Sequence, residues 1–506
     1  MQRVTTIRGL PRCLAAALGL SVTPFGASYA ASPPGGGQSA PQIESSADTT
    51  GVLATLSVTG RIDRGSTFFQ SLGTNGRACS TCHVPEQAFG LSAAAASRTF
   101  RLTRGQDPLF APVDGANCPD ARRDDAAAHS LLLKHGIFRI SLPLPASAQF
   151  TISVIHDPYG CAITPDPKTG QEDISVYRRP LPATNLAFLS AVMSDGRETL
   201  LPLGDGDTFL TNLVADLKQL AADATTVHAQ AVRPPTDGQL TRIVSFELGL
   251  YTAQSVDQDA GSLEAAGAQG GAGALSIQEY FPGINDSLGG NPTGAPFDPT
   301  AMTLFAAWAA PSLAATPEDG RREAARRAIS AGERLFDTAP LLITDVRGLN
   351  DDPALGSPRA IVAHCSTCHD APNVGDHSLA VPLDIGTSHV ALPGMESDPH
   401  VAAALARLDV PELPVYLING CPDPADPSRT APFYTSDPGR ALITGKCADL
   451  NRIKGPILRG LAARAPYFHN GAAADLAQVV SFYDERFQMQ LTPEEKSDLV
   501  AFLSSL

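Results

Sequence analysis

The sequence predicts a mainly α-helical chain made of two copies of one module, with a β-ribbon-containing insertion and long loops. Three observations, met in the same order in each half, predict it. C-x-x-C-H stands at Cys79, Cys82 and His83 and returns at Cys365, Cys368 and His369. Upstream of each lies G-x-x-[FL]-F, at Gly65–Phe69 and Gly332–Phe336. Downstream, 236–246 and 492–502 each open on Thr with Gln239 or Glu495 three positions on, the pattern of a capping box. Apolar residues then follow at helical spacing: Leu240, Ile243, Val244 and Leu248 in one, Leu499, Val500, Leu503 and Leu506 in the other.

C-x-x-C-H reads as a c-type haem attachment site. Two thiols so spaced add to the two vinyl groups of one haem, and the adjacent His reaches the iron as proximal ligand. A structural zinc site needs four ligands, usually from two such pairs close together, and the chain has no other C-x-x-C. A thioredoxin-like motif does not require the following His. Two covalently bound haem c groups are therefore expected, with Cys79, Cys82, His83, Cys365, Cys368 and His369 holding them.

The 506 residues carry a net charge of -15, which argues against a nucleic-acid partner. Arg3, Arg8 and Arg12, the short apolar run 13–21 and Ser28-Tyr29-Ala30 read as a secretory signal over 1–30. That run is too short to span a membrane, so no membrane span is expected. Of nine cysteines, loss of Cys13 leaves eight, and four hold haem. In an exported protein the remaining four suggest disulfides, with Cys118–Cys161 and Cys421–Cys447 favoured because each pair lies within one inferred domain.

The expected organisation is a signal peptide at 1–30, a disordered leader at 31–50, a first haem domain at 51–254, a Gly/Ala-rich linker at 255–276, and a second haem domain at 277–506. The first domain carries the insertion at about 92–180, where "IFRISLPLP" and "FTISVIHD" alternate as a two-stranded ribbon would. The second carries a long Pro-, Gly- and Asp-rich stretch at 370–455.

Three segments carry a resemblance to the bacterial dihaem cytochrome c peroxidases and the related methylamine-utilisation enzymes: "CSTCHVPEQAFG", "PATNLAFLSAVMSDGRE" at 182–198, and "ILRGLAARAPYFHNGAAADLAQVVSFYDERF" at 457–487. The resemblance covers roughly 51–253 and 318–506 but not the insertion. It implies two cytochrome c-like domains in the periplasm, hydrogen peroxide reacting at the His83 haem, electrons relayed from the His369 haem, and a small donor such as a cytochrome or cupredoxin.

The sequence departs from that family at several places. Ser194 stands where the family has a bridging Trp, and the one tryptophan is Trp308. Tyr483 occupies the place of the peroxidases' Met ligand to the second haem, as a Tyr does in the methylamine enzyme. Met489, or a His such as His377 or His389, is the alternative. Leu220 replaces a distal Gln of the first haem, and His228 and Gln230 stand where a Glu would be. His228 is expected as a distal acid/base or as an iron ligand. His469 is expected to close the haem crevice by packing and hydrogen bonding, His364 to be exposed, and Asp195 and Arg197 to form a turn salt bridge or a haem-propionate contact.

Overall fold

The structure is a computed structural model that describes residues 42–166, 170–200, 206–281, 283–285, 297–298, 300–310, 316–375, 382–390, 398–423, 426 and 428–506. The expected signal at 1–30 and most of the leader lie outside them. The expectation of a mainly α chain is overturned: 35% is helix and 18% strand, with four sheets among the described residues. The strands come largely from the stretches expected as leader, linker, insertion and loops.

A four-stranded sheet joins Gln42–Ala47, Gly51–Ser57, Leu250–Asp257 and Gly261–Ser262. Part of the expected leader is therefore strand. The stretch 255–276, expected as a flexible linker, holds strand, turn and the helix Gly271–Ile277. Its small residues serve close packing. A Cβ on Gly270 would stand 2.8 Å from the Phe305 ring, and Ala260, Leu263 and Ala268 are buried in the same core.

The insertion forms strands at Phe138–Pro143 and Thr151–His156, but they do not pair with each other as a ribbon. Phe138–Pro143 pairs with Glu172–Arg178, and Thr151–His156 with Val415–Asn419 from the long loop of the second half. Burial decides the partners. Phe150, Ala162, Val176, Tyr416 and Ile418 form one core, which a two-stranded ribbon alone could not bury. Tyr416 Oη donates to the carbonyls of Ala162 and Ser175 at 3.0 and 2.5 Å. Cys118–Cys161 and Cys421–Cys447 are bonded as favoured.

The two module frames differ. In the second half, Pro at the start and a run of Ala, Arg and Glu give the long helix Pro317–Thr338. It crosses the closing helix Pro493–Ser504 so tightly that a Cβ on Gly332 would lie 2.0 Å from the Asp498 carbonyl oxygen. Phe336 packs on Phe502 at 5.4 Å. In the first half the matching pattern makes only the single 3-10 turn Thr67–Phe69, because the strand Gly51–Ser57 takes up the chain before it. Phe68 and Phe69 still pack on Phe246 of the closing helix Asp237–Leu248, at 5.0 and 5.5 Å. Both closing helices carry the expected capping box.

Candidate haem sites

Each C-x-x-C-H begins as a 3-10 turn, Cys79–Thr81 and Cys365–Thr367. Thr81 Oγ1 accepts from Ala78 N, and Thr367 Oγ1 from His364 N, both at 3.0 Å. The backbone N of His83 donates to Cys79 O and that of His369 to Cys365 O, both at 3.0 Å. A short bridge closes each turn, Val84 with Gly90 and Asp370 with Gly375. The residue before each closing Gly has positive φ, Phe89 at 52° and Val374 at 53°. For Val, a β-branched residue, that is a genuine outlier, of the kind that persists where surrounding structure imposes it.

The turn aims its His. His83 Nδ1 lies 3.1 Å from the Phe89 carbonyl, which fixes Nδ1–H and leaves Nε2 free for iron. At His369 the Val374 backbone acts on the ring in the same sense, although Nδ1 closes no hydrogen bond of good geometry. Burial dominates there and takes the ring down to about 4, neutral as an iron ligand must be. None of the four thiols takes part in the two disulfides. Burial pushes Cys79, Cys82 and Cys365 up to about 12, with Glu247 adding to the effect at Cys79. Among the described residues no group of three or more His, Cys, Asp or Glu gathers as a metal site.

Around the second turn lies a mostly apolar cavity of about 210 Å³. Tyr483 and Met489, the two leading axial candidates, both line it. Among the described residues the Tyr483 hydroxyl makes no hydrogen bond; burial, then Cys365 and Cys368, hold its pKa far above the ordinary range. His377 lies outside the described residues. His389 Nε2 is held 2.9 Å from Asp384, away from the cavity lining. His364, expected to be exposed, is half-buried and lines the cavity. His469 lines the cavity with its side chain 6% exposed, within 3.2 Å of Ser388 Oγ and 3.4 Å of Thr387 Oγ1.

These surroundings fit a haem. Arg459 sits between Leu458 and Leu461, which line the cavity, and its Nη1 and Nη2 are buried without a partner. Arg179 and Arg464 line the cavity and hydrogen-bond to carbonyl oxygens. Burial takes these three guanidinium groups down to about 10, 9 and 10. A haem brings two propionates, the anions that such buried cations lack.

One buried ionic cluster lies beside the second cavity, where the neighbouring Arg179 and Ser194 line the wall. Arg178 Nη1 donates to Asp195 at 2.5 Å, and its Nε and Nη2 grip both oxygens of Asp437 at 2.7 and 2.8 Å. Asp195 also binds Arg197 at 3.0 Å, the expected turn salt bridge. Burial would raise both carboxylates, but Arg178 outweighs it and holds them below their usual range. The next residues bridge the sites: Leu181 acts through its backbone on His83 and also lines the second cavity. Ser194 is buried and lines the same cavity, its carbonyl accepting from Lys454 N at 2.7 Å.

His228 comes to the first turn. Its Nδ1 lies 2.6 Å from Asp114 Oδ2, its charge bears on His83, and Arg77 binds the other Asp114 oxygen. Sequence reasoning missed Asp114, Arg77, Arg179 and Arg459. The only signals were Arg77 two residues before Cys79 and the run Arg178-Arg179-Pro180.

No family model matches the chain. It is 32% identical over 152 residues to the cytochrome-c peroxidase IdrP2 of Denitromonas iodatirespirans, which is 28% of this chain and 35% of that one. To the cytochrome c551 peroxidase of Nitrosomonas europaea it is 40% identical over 78 residues, 15% and 23% of the two chains. To the cytochrome-c peroxidase IdrP1 of a Pseudomonas species it is 27% identical over 158 residues, 28% and 36%. The chain thus spans at most about a third of these relatives. A solved hydrazine synthase from Kuenenia stuttgartiensis aligns at TM-score 0.27 and 14% identity over 65% of this chain and 73% of that one, a likeness that carries no argument.

The two C-x-x-C-H turns have the form of c-type haem attachment sites. Over the stretches matched, the chain is similar to proteins named cytochrome c peroxidases.

Proposed function

We propose that this chain is an exported, periplasmic dihaem cytochrome that reduces hydrogen peroxide at the His83 site, with electrons relayed from the His369 site. Residues 51–254 and 277–506 form the two haem modules, and a small cytochrome or cupredoxin is the donor. No described helix is long and apolar enough to cross a membrane. The observation that carries the reading is the segment Arg179–Leu181. Leu181 acts on His83 and, with Arg179, lines the cavity of His369, so one short stretch of backbone touches both sites. Peroxide reduction takes two electrons, and the covalent haems supply the redox-active iron. The chain's own part is to aim His83 and His369, exclude water at the second site and hold the groups between them. Tyr483 is the proposed axial ligand at the second site and Met489 the alternative; both line that cavity.

Electron paramagnetic resonance of the oxidised and half-reduced protein tests this. One high-spin iron after half-reduction, together with two haem masses on the mature chain, is the expected result. Two low-spin irons in both states would make the protein an electron carrier.

A further inference from the structure

The insertion has no counterpart in the family resemblance, yet it sends a buried carboxylate to the first haem turn. We infer that Asp114 is a positioning residue for His228, holding its imidazole with hydrogen on Nδ1 so that Nε2 is the free nitrogen for proton transfer at the His83 site. The inference rests on the reading that peroxide reacts there.

The geometry is specific. Asp114 is 5% exposed and both its oxygens are engaged, one by Arg77 and one by His228 Nδ1 at 2.6 Å. Burial raises the carboxyl and Arg77 and His228 outweigh it, so it is ionised. An ionised carboxylate only accepts; Nδ1 must therefore carry the hydrogen, and in the neutral ring Nε2 holds the lone pair. Arg77 is itself fixed by the carbonyls of Pro108 and Leu109, both at 2.8 Å. The Asp114 carbonyl accepts from Arg139 N at 2.9 Å, at the start of the strand Phe138–Pro143.

His228 is anchored from its own side. Its carbonyl accepts from Asn75 Nδ2 at 2.8 Å, and the Ala229 carbonyl from Thr74 N at 3.0 Å. The end of the helix Gly206–Val227 is thus pinned just before Cys79. The imidazole is 36% exposed, open to a small diffusing substrate. A buried Arg–carboxylate pair gains little stability over an apolar pair; here it places an acceptor behind a half-exposed imidazole.

In peroxide reduction, H2O2 plus two electrons and two protons gives two waters. Nε2 takes the proton from one peroxide oxygen and passes it to the other, which leaves as water, while the reduced donor supplies the electrons and solvent the remaining protons.

Cyanide association with the oxidised, haem-loaded full chain tests the positioning without electrons or peroxide, since hydrogen cyanide must lose its proton to bind. His228→Ala should slow association by about tenfold or more, within the range of general-base effects, without changing the spin state of the first haem. Asp114→Asn should slow it several-fold, and the double variant should be no slower than His228→Ala alone. An Asp114→Asn rate equal to wild type, or effects that multiply, would overturn the positioning. A change to high spin in His228→Ala would make His228 a ligand and overturn the acid–base assignment. Where Asp114→Asn does not fold, Asp114→Glu keeps a partner for Arg77 while displacing the carboxylate. A several-fold slower rate then supports the inference, and an unchanged one refutes it. Failure of the peroxidase reading is separate: it appears as absent turnover with the cyanide rates still in this order.

Discussion

The His83 and His369 turns share one backbone design and differ in almost everything around it. Both begin as a 3-10 turn, close through a bridge and hold a non-Gly residue at positive φ. The first is flanked by a polar relay, Arg77 to Asp114 to a half-exposed His228. The second is walled by apolar residues, with Arg459 and Arg464 buried and Arg179 half-buried beside it. The pairing teaches that the turn itself is local, while its surroundings come from elsewhere in sequence: Asp114 from the insertion, Tyr483 from the helix Leu476–Phe487 and Met489 from just past its end.

The comparison can be broken most severely at the buried ionic cluster of Arg178. Arg178→Ala leaves Asp437 buried without its arginine and Asp195 with Arg197 alone, and breaking such a cluster costs about 3–5 kcal/mol. Denaturant melts should show that loss. Haem spectra should show both sites disturbed, whereas a disturbance of the second alone would mean that the cluster serves only one module.

Acidification comes next. His469 is 6% exposed in its side chain and burial takes it down to about 4, against the attraction of Asp437. A His depressed in the folded state favours folding fully above its unfolded value near 6.5 and loses that contribution as pH falls toward 4. The loss is roughly 3 kcal/mol. The depressed Asp195 and Asp437 add to it only below their unfolded values near 4. Melting temperature against pH should therefore fall between about 6.5 and 4, and His469→Gln should flatten that slope.

Ser194→Trp sharpens the contrast in electron traffic. Overpacking at this buried position costs about 1–3 kcal/mol, moderated by the adjoining cavity. Inter-haem transfer, followed by rapid mixing, should speed up. An unchanged rate would show that the Arg179–Leu181 segment already carries the traffic.

The smallest expected effect on stability is that of Tyr483→Phe. Its hydroxyl gives up no hydrogen bond among the described residues, so the melt should move by less than about 1 kcal/mol. The spectrum of the second haem should change and that of the first should not. No change in either would leave Met489 as the axial candidate.

What could be read from sequence was what is local. The two C-x-x-C-H turns, the capping boxes at Thr236 and Thr492 and the two disulfides each depend on residues close in sequence or on a simple count. The mainly α expectation failed where structure depends on distant partners. Thr151–His156 was legible as a strand, but its partner Val415–Asn419 was hidden in a stretch whose Pro, Gly and Asp content resembles a loop. The linker was misread because Gly and Ala serve flexibility and tight packing equally well, and only the Phe305 ring against Gly270 decides between them. Asp114 carried no local signal at all.

The sheet shared between the insertion and the late loop has a consequence for how the chain is made. Tyr416 reaches Ala162 across 254 residues. A chain emerging from its N-terminus must therefore wait, with Thr151–His156 unpaired, until most of the second half has been produced. Contacts this remote slow folding, and an unpaired strand edge invites association with other chains. The first half is thus no autonomous building block despite its own C-x-x-C-H turn and closing helix. A first half released alone would carry an open edge and half a core, and would be prone to aggregate.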